Sequence, residues 1–321
     1  MTSSPDIDAL LASVKSAARA LIENPQRSGS LIRLEGEDVI VTGDLHGDVA
    51  AFNRIVEITD LASHPGRHLI LQELIHENGK ADVCSSCLLI ERTCTLINRW
   101  PGRVHVLLGN HEMAELTGRA IIKNGAVLNE AFSKGVVARY GARAEEAMMY
   151  FQALWRSMAL AARTPNRVFI SHSTPAKDCL PGVEERSPQP SSALSGPDRS
   201  PAASSQATAA SPGSEKAGTG HFSPGVLERR LEPHDMQRGG SGYELVWGRD
   251  FCKEAADRFA EMVDADFLIV GHTPCPEGFA VPNHRHVVLD SQGPAGVCLL
   301  LEMQAPLTLE EIVGKILPLW P

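Results

Sequence analysis

The sequence predicts a layered α/β fold, on three observations. Strand-like apolar runs alternate with amphipathic helical stretches along most of the chain. Five short polar clusters each follow one of those strand-like runs directly, and ligands in α/β sheets gather beyond the carboxyl ends of the strands. With 321 residues and 43 % apolar side chains, the chain can bury a sizeable core.

The elements follow in order. Leu10, Leu11, Val14, Ala17, Ala18, Leu21 and Ile22 share one face at helical spacing, which predicts a helix ending before Pro25. Two short strands are expected at 30–34 and 38–42, with Glu35-Gly36-Glu37 as the turn. Further strands are expected at 68–71, 103–108, 167–170, 266–270, 286–289 and 296–302, and helices at 49–61, 82–100 and 144–162. Residues 113–165 and 226–246 are expected to cap the site. Residues 181–225 break the pattern. They are rich in Ser, Pro, Ala and Gly and nearly lack large apolar side chains, so they cannot offset their own ordering entropy. They read as a disordered insertion within a single domain spanning 1–321, because polar clusters lie on both sides of them.

Composition narrows the partners. The formal net charge of -9 speaks against nucleic-acid backbones and acidic membranes, although a metal pair can reverse the sign locally for a small phosphorylated ligand. No run of about eighteen apolar residues predicts a membrane span, and the first residues lack the blocks of a secretory signal. The seven cysteines, an odd number, read as reduced thiols of a cytoplasmic protein. Cys84 and Cys87 with Cys94 resemble half a zinc knuckle. Cys87, Ile90, Cys94 and Ile97 recur at helical spacing, and no second Cys or His pair sits at zinc-finger spacing, so core packing is the better reading.

The chemistry lies in the clusters: Gly43-Asp44-Leu45-His46-Gly47, Gln72-Glu73, Gly109-Asn110-His111-Glu112, Ser171-His172-Ser173 and Gly271-His272-Thr273-Pro274. Carboxylate, imidazole and amide oxygen together suit manganese, iron or zinc. Asp44 and His46, two apart in a loop, can face one ion. A bridging carboxylate would hold a second cation about 3.5–4 Å away. Taken singly, Asp-x-His or Ser-His-Ser is a polar turn; it is the full set, each member after a strand, that points to a metal centre.

These motifs, with Leu107 and Leu108 before Gly109, resemble the metal motifs of the calcineurin-like metallophosphoesterases. Two more segments resemble the phosphoprotein-phosphatase branch: Leu245-Val246-Trp247-Gly248-Arg249-Asp250, like its phosphate-arginine segment, and Leu289-Asp290-Ser291-Gln292-Gly293, like its closing segment. The Leu-Leu-Gly-Asn-His-Glu-Met run is most similar to the bacterial Shewanella-like phosphatases. The resemblance covers about 38–303 apart from the insertion, and it implies a four-layered α/β/β/α sandwich with a helical cap.

It also implies two divalent cations, one held by Asp44, His46 and Glu73 and the other by Glu73, Asn110, His172 and His272. A water between them would attack phosphorus, His111 would protonate the leaving oxygen, and Arg249 would pair with phosphate oxygens. The implied substrate is a phosphate monoester, on a small molecule or a phosphoprotein. The second motif departs from the family. Glu73 stands for its bridging aspartate and is longer by one methylene, about 1.5 Å. His76 stands for the acid that orients the catalytic histidine, and Glu77 and Leu108 stand for phosphate-binding arginines. Glu73 is preferred as the bridge over Asp60, near a helix end, and over Asp82, expected to open the next helix. The same centre also serves nucleotide and dinucleoside-polyphosphate hydrolases. The altered motif also admits a phosphate-binding pseudophosphatase.

Overall fold

The computed structural model describes residues 6–77, 82–181 and 221–320. The chain begins with α1 (Ile7–Ile22), β1 (Arg27–Ser28), β2 (Leu31–Arg33), β3 (Asp38–Asp44), α2 (Val49–Thr59), β4 (Arg67–Gln72), α3 (Cys87–Arg99) and β5 (Val104–Leu107). There follow α4 (Asn110–Thr117), the hairpin β6 (Ile122–Lys123) and β7 (Ala126–Val127), α5 (Leu128–Tyr140), α6 (Ala144–Ser157), β8 (Ala161–Arg163) and β9 (Val168–Ser171). The last part holds α7 (Ser241–Trp247), α8 (Lys253–Met262), β10 (Phe267–Val270), β11 (Phe279–Ala280), β12 (His286–Leu289), β13 (Val297–Glu302), α9 (Leu309–Val313) and β14 (Ile316–Pro318).

Two sheets form the centre. One runs β14-β13-β3-β4-β5, and the other β1-β2-β8-β9-β10-β12-β11. The strands that carry the polar clusters are parallel within each sheet: β3 with β4 and β5, and β9 with β10 and β12. Their carboxyl ends therefore share an edge.

Strand side chains alternate between faces. Val39, Val41, Ile70 and Leu107 meet Ile170, Ile269 and Val287 of the other sheet in one apolar layer. Ile40, Leu69, Leu71 and Val106 point outward to a second core shared with the helices. On the outside of the second sheet, α8 buries Phe259 against Phe169 and Phe222. This is the expected sandwich of helix, sheet, sheet and helix.

Local chemistry sets the helix ends. The Asp6 carboxylate accepts from Ala9 N at 3.1 Å to start α1, and Asp48 accepts from Ala51 N at 2.9 Å to start α2. Asp60 closes α2 in the left-handed region.

Three expectations are corrected. The helix expected from Asp82 starts at Cys87, so Asp82 caps nothing. Cys84 N donates to Ala131 O of α5, and Gly135 packs against the Cys84 carbonyl, which holds this stretch out of the helix. The helix expected to reach Ala162 ends at Ser157; Met158 turns extended, and the chain enters β8. The strands at 30–34 and 38–42 belong to different sheets, so the Glu35-Gly36-Glu37 turn passes the chain between them.

The insertion read at 181–225 lies outside the described residues except at its flanks. There Phe222 is fully buried and residues Pro224–Glu228 form a 3-10 turn, so the chain is packed before residue 225. Cys84, Cys87 and Cys94 are buried free thiols, Cys87 and Cys94 on the inner face of α3 and Cys84 in the loop before it. No helix among the described residues is long and apolar enough to cross a membrane.

Candidate metal centre

Six candidate ligands and His111 meet at the shared strand edge. The β3–β4 register shifts between Val41 and Asp44, a bulge that re-aims the last residues of β3. Asp44 Oδ1 accepts from His272 N at 2.9 Å and lies 3.6 Å from His172 Nδ1, while Oδ2 is 3.8 Å from His46 Nε2. Glu73 Oε2 lies 2.9 Å from His172 Nε2, and Oε1 accepts from His111 N at 3.2 Å. His172 Nε2 is also 2.9 Å from Asn110 Oδ1. The His172 and His272 rings lie 4.9 Å apart. All of these residues except the half-buried His46 are buried.

Several backbones are bent to make this possible. His46, Glu73 and His272 all have positive φ, at 41°, 49° and 64°. Non-glycine residues rarely take this conformation, and its clustering at one site marks geometry set by function. Gly109 is required sterically. A Cβ there would stand 2.0 Å from Glu73 Oε2 and 2.7 Å from Glu112 Oε2. Gly109→Ala should displace Glu73, lowering both cation content by metal analysis and the melting temperature; unchanged metal content would contradict this placement.

The electrostatics fit divalent cations. Burial pushes the Asp44 carboxyl up to about 7 and the Glu73 and Glu112 carboxyls up to about 8. Burial depresses His46 to about 3 and moves His111, His172 and His272 down, so these imidazoles are neutral donors. Glu73 Oε2 and Glu112 Oε2 are buried without a hydrogen-bond partner. Such an atom costs about 1–3 kcal/mol unless something satisfies it, and a cation does so.

A pH dependence follows for the chelated protein. The histidines' depressed pKa values give stability that grows as pH rises to about 6.5. The carboxyls, raised above their unfolded values, give stability that is full below about 4 and lost as pH rises through 7 to 8. Above pH 7 the carboxyls decide. The chelated protein's melting temperature should therefore fall between about pH 6.5 and pH 8 and level off above that, and added manganese should restore most at the alkaline end. A flat profile would contradict the buried, unpaired carboxyls.

His46, Glu73 and His111 also form a tight group, with one donor atom from each within 4.8 Å of the others. His111 is thus placed either as a ligand or as a proton donor, and substitution separates the two roles (see Discussion). Arg249 is exposed at the rim, where its Nη2 donates to His272 O at 3.3 Å. Glu77, in place of an arginine, accepts from Ser85 N at 3.2 Å.

Sequence reasoning missed several contributors. Gln72 Oε1 lies 3.1 Å from His172 Nδ1, and Gln72 Nε2 donates to Thr42 O at 2.6 Å. Ser291 Oγ accepts from Gly43 N at 2.9 Å, and Asp290 bridges to Asp44 through the backbone. Glu112 Oε1 accepts from Leu74 N at 2.7 Å, tying α4 to the Glu73 loop. Lys123, on the β6–β7 hairpin, acts electrostatically on His46 and Glu73. The hairpin was legible: Asn124 and Gly125 have φ of 52° and 80°, as a two-residue Asn-Gly turn requires.

The expected cap is only partly a cap. α6 packs on α1 in the outer layer, whereas the hairpin and α7 flank the site, with Trp247 6.4 Å from the His272 ring. A cavity of about 830 Å3, lined by Arg27, Leu116, Trp155, Arg230 and Met236 among others, includes none of the candidate ligands. The site is therefore identified by its donor set, not by the cavity.

Comparisons with known proteins bear on the family and the fold. The family model for calcineurin-like phosphoesterases matches residues 38–276. No curated protein matches in sequence. Among solved structures, the chain is similar to a protein serine/threonine phosphatase from Saccharomyces cerevisiae with similarity to human phosphatase PP5. The TM-score is 0.57 at 14 % identity, covering 91 % of this chain and 82 % of that one. A cold-active protein-tyrosine phosphatase of a psychrophilic Shewanella species gives 0.46 at 15 % identity, covering 86 % and 78 %. At 14 % identity the likeness to the yeast phosphatase is one of fold. The family model spans well over half of the chain, so the chain belongs to the calcineurin-like phosphoesterases, and it is a metal-dependent phosphoric ester hydrolase.

Proposed function

We propose that this protein hydrolyses phosphate monoesters with two divalent cations, drawn from manganese, iron and zinc, and that phosphoserine or phosphothreonine in proteins is among its substrates. The observation that carries this reading is the gathering of Asp44, Glu73, Asn110 and His272 around His172, with Glu73 Oε2 buried without a hydrogen bond. The yeast serine/threonine phosphatase supports it by fold.

Asp44, His46 and Glu73 would hold one cation, and Glu73, Asn110, His172 and His272 the other. Bound there, such ions make water a nucleophile near neutral pH and offset phosphate charge. The chain's own residues do the rest. Gln72 and Asp44 flank His172 Nδ1 and fix its ring. Arg249 supplies a guanidinium for the phosphate oxygens, and Lys123 adds positive charge on the hairpin side.

His111 gives a proton to the leaving oxygen. Burial keeps the resting ring neutral, so it gains that proton when a phosphate's negative charge lies beside it.

The test is a substrate panel with manganese, iron or zinc added in turn: a phosphoserine peptide, phenyl phosphate, a phosphodiester and diadenosine tetraphosphate. Monoesters should turn over fastest, and chelation should stop them. A clear preference for the dinucleotide would replace this reading. Persistent absence of bound metal would favour a phosphate-binding protein instead.

A further inference from the structure

Behind His111 stands an arrangement that the family resemblance does not supply. His76 occupies the position where an acid was expected, and a histidine there cannot be a fixed acceptor by itself, because either ring nitrogen can carry the proton. In this chain the acid lies one residue further back. His76 Nε2 is 2.9 Å from Glu115 Oε1, and His76 Nδ1 is 3.1 Å from His111 Nδ1. Glu115 Oε1 also accepts from Asn129 Nδ2 at 2.9 Å. The His76 ring is fully buried, its backbone N donates to Ser86 Oγ at 3.2 Å, and Phe132 packs edge-on against it.

We propose that Glu115 is a positioning residue that acts through His76 to fix the tautomer and orientation of His111. A carboxylate only accepts, so His76 carries a hydrogen on Nε2, and the neutral ring then presents a lone pair at Nδ1. His111 Nδ1 then faces two acceptors, His76 Nδ1 at 3.1 Å and Glu73 Oε1 at 3.4 Å, and must carry the hydrogen itself. His111 Nε2, which makes no hydrogen bond among the described residues, is left as the one atom that gains and gives a proton. The Glu115–His76 pair therefore does what a carboxylate beside His111 would do. It also makes His111 Nδ1 unavailable to a cation.

The placement is local in origin. Glu112 and Glu115 lie three apart on α4, so both project toward the Glu73–His76 loop, Glu112 to Leu74 N and Glu115 to His76. His76 reaches between them because its φ is 63°. An aspartate at position 76 could replace the pair, since its Oδ1 and the imidazole Nδ1 are both bonded to Cγ and take the same place beside His111. Aspartate also tolerates positive φ better than most residues.

The role of this tautomer in turnover rests on the phosphatase reading; the tautomer itself does not. Two measurements separate them. In the zinc-loaded full chain, ¹⁵N correlation spectra of the imidazoles, with His111 assigned by its loss in His111→Asn, should show a protonated Nδ1. Glu115→Ala should give mixed tautomers. A protonated Nε2 and bare Nδ1 in the unsubstituted protein would overturn the inference, whether or not any ester is hydrolysed.

In kinetics, Glu115→Ala should lower kcat on phenyl phosphate at least about 10-fold with KM nearly constant. The loss should be smaller on p-nitrophenyl phosphate, whose leaving group needs less protonation. The double variant His76→Asp/Glu115→Ala should be more active on phenyl phosphate than Glu115→Ala. Equal losses on both esters, with no rescue, would mean that Glu115 is only structural.

Discussion

Glu73→Gln should lose at least one bound cation and nearly all hydrolysis. The carboxylate is fully buried at the end of β4, with Oε1 accepting from His111 N at 3.2 Å and Oε2 2.9 Å from His172 Nε2 but making no hydrogen bond. The two acids weighed against it lie elsewhere. Asp60 is at the far end of α2, and Asp82 lies in the loop before α3. The extra methylene of glutamate is accommodated where the backbone takes φ 49° and where Gly109 leaves room for Oε2. Gln keeps the size and the hydrogen bond from His111 N but removes the charge that two adjacent cations need. Metal analysis of the purified variant reads the first effect and phenyl phosphate turnover the second. A fully metallated, active variant would sink the bridging assignment. Glu77→Gln should be mild, because the Glu77 carboxylate accepts from Ser85 N and Oγ at the exposed loop surface.

His111→Asn should separate proton donor from ligand. If His111 gives a proton, kcat on a poor leaving group falls by about 10²–10⁴ and the cation content stays. The tight group of His46, Glu73 and His111 makes the contrary result concrete. Loss of a cation with loss of activity would show that His111 is a ligand. The expected outcome is retained metal, because the His111 Nδ1 facing Glu73 also faces the His76–Glu115 pair.

What could be read in the sequence was local. Each polar cluster follows its strand within one or two residues, so a run such as Val39–Thr42 followed by Gly43-Asp44-Leu45-His46 announced both the strand and its ligands. The alternation of Val39 and Val41 with Ile40 announced a strand between two cores.

What could not be read depended on distant partners. The start of α3 is set by a hydrogen bond from Cys84 to Ala131, 47 residues away. Gln72 gains its role only because His172, 100 residues on, packs beside it. Glu115 gains its role only because the His76 loop lies on α4. Phe222 sits in a stretch whose composition suggested disorder, yet it is held by Phe259 and by its own N–H to Cys179 O. One buried aromatic can anchor a segment that an averaged composition passes over.

Glu73 and the strand-end ligands are expected to form a two-cation hydrolytic centre. The most direct measurement is a titration of the chelated protein with manganese, following bound equivalents and phenyl phosphate hydrolysis in the same samples. Two equivalents per chain are expected, with activity appearing as the second is bound. A single equivalent giving full activity, or hydrolysis undiminished in the chelated protein, would contradict it.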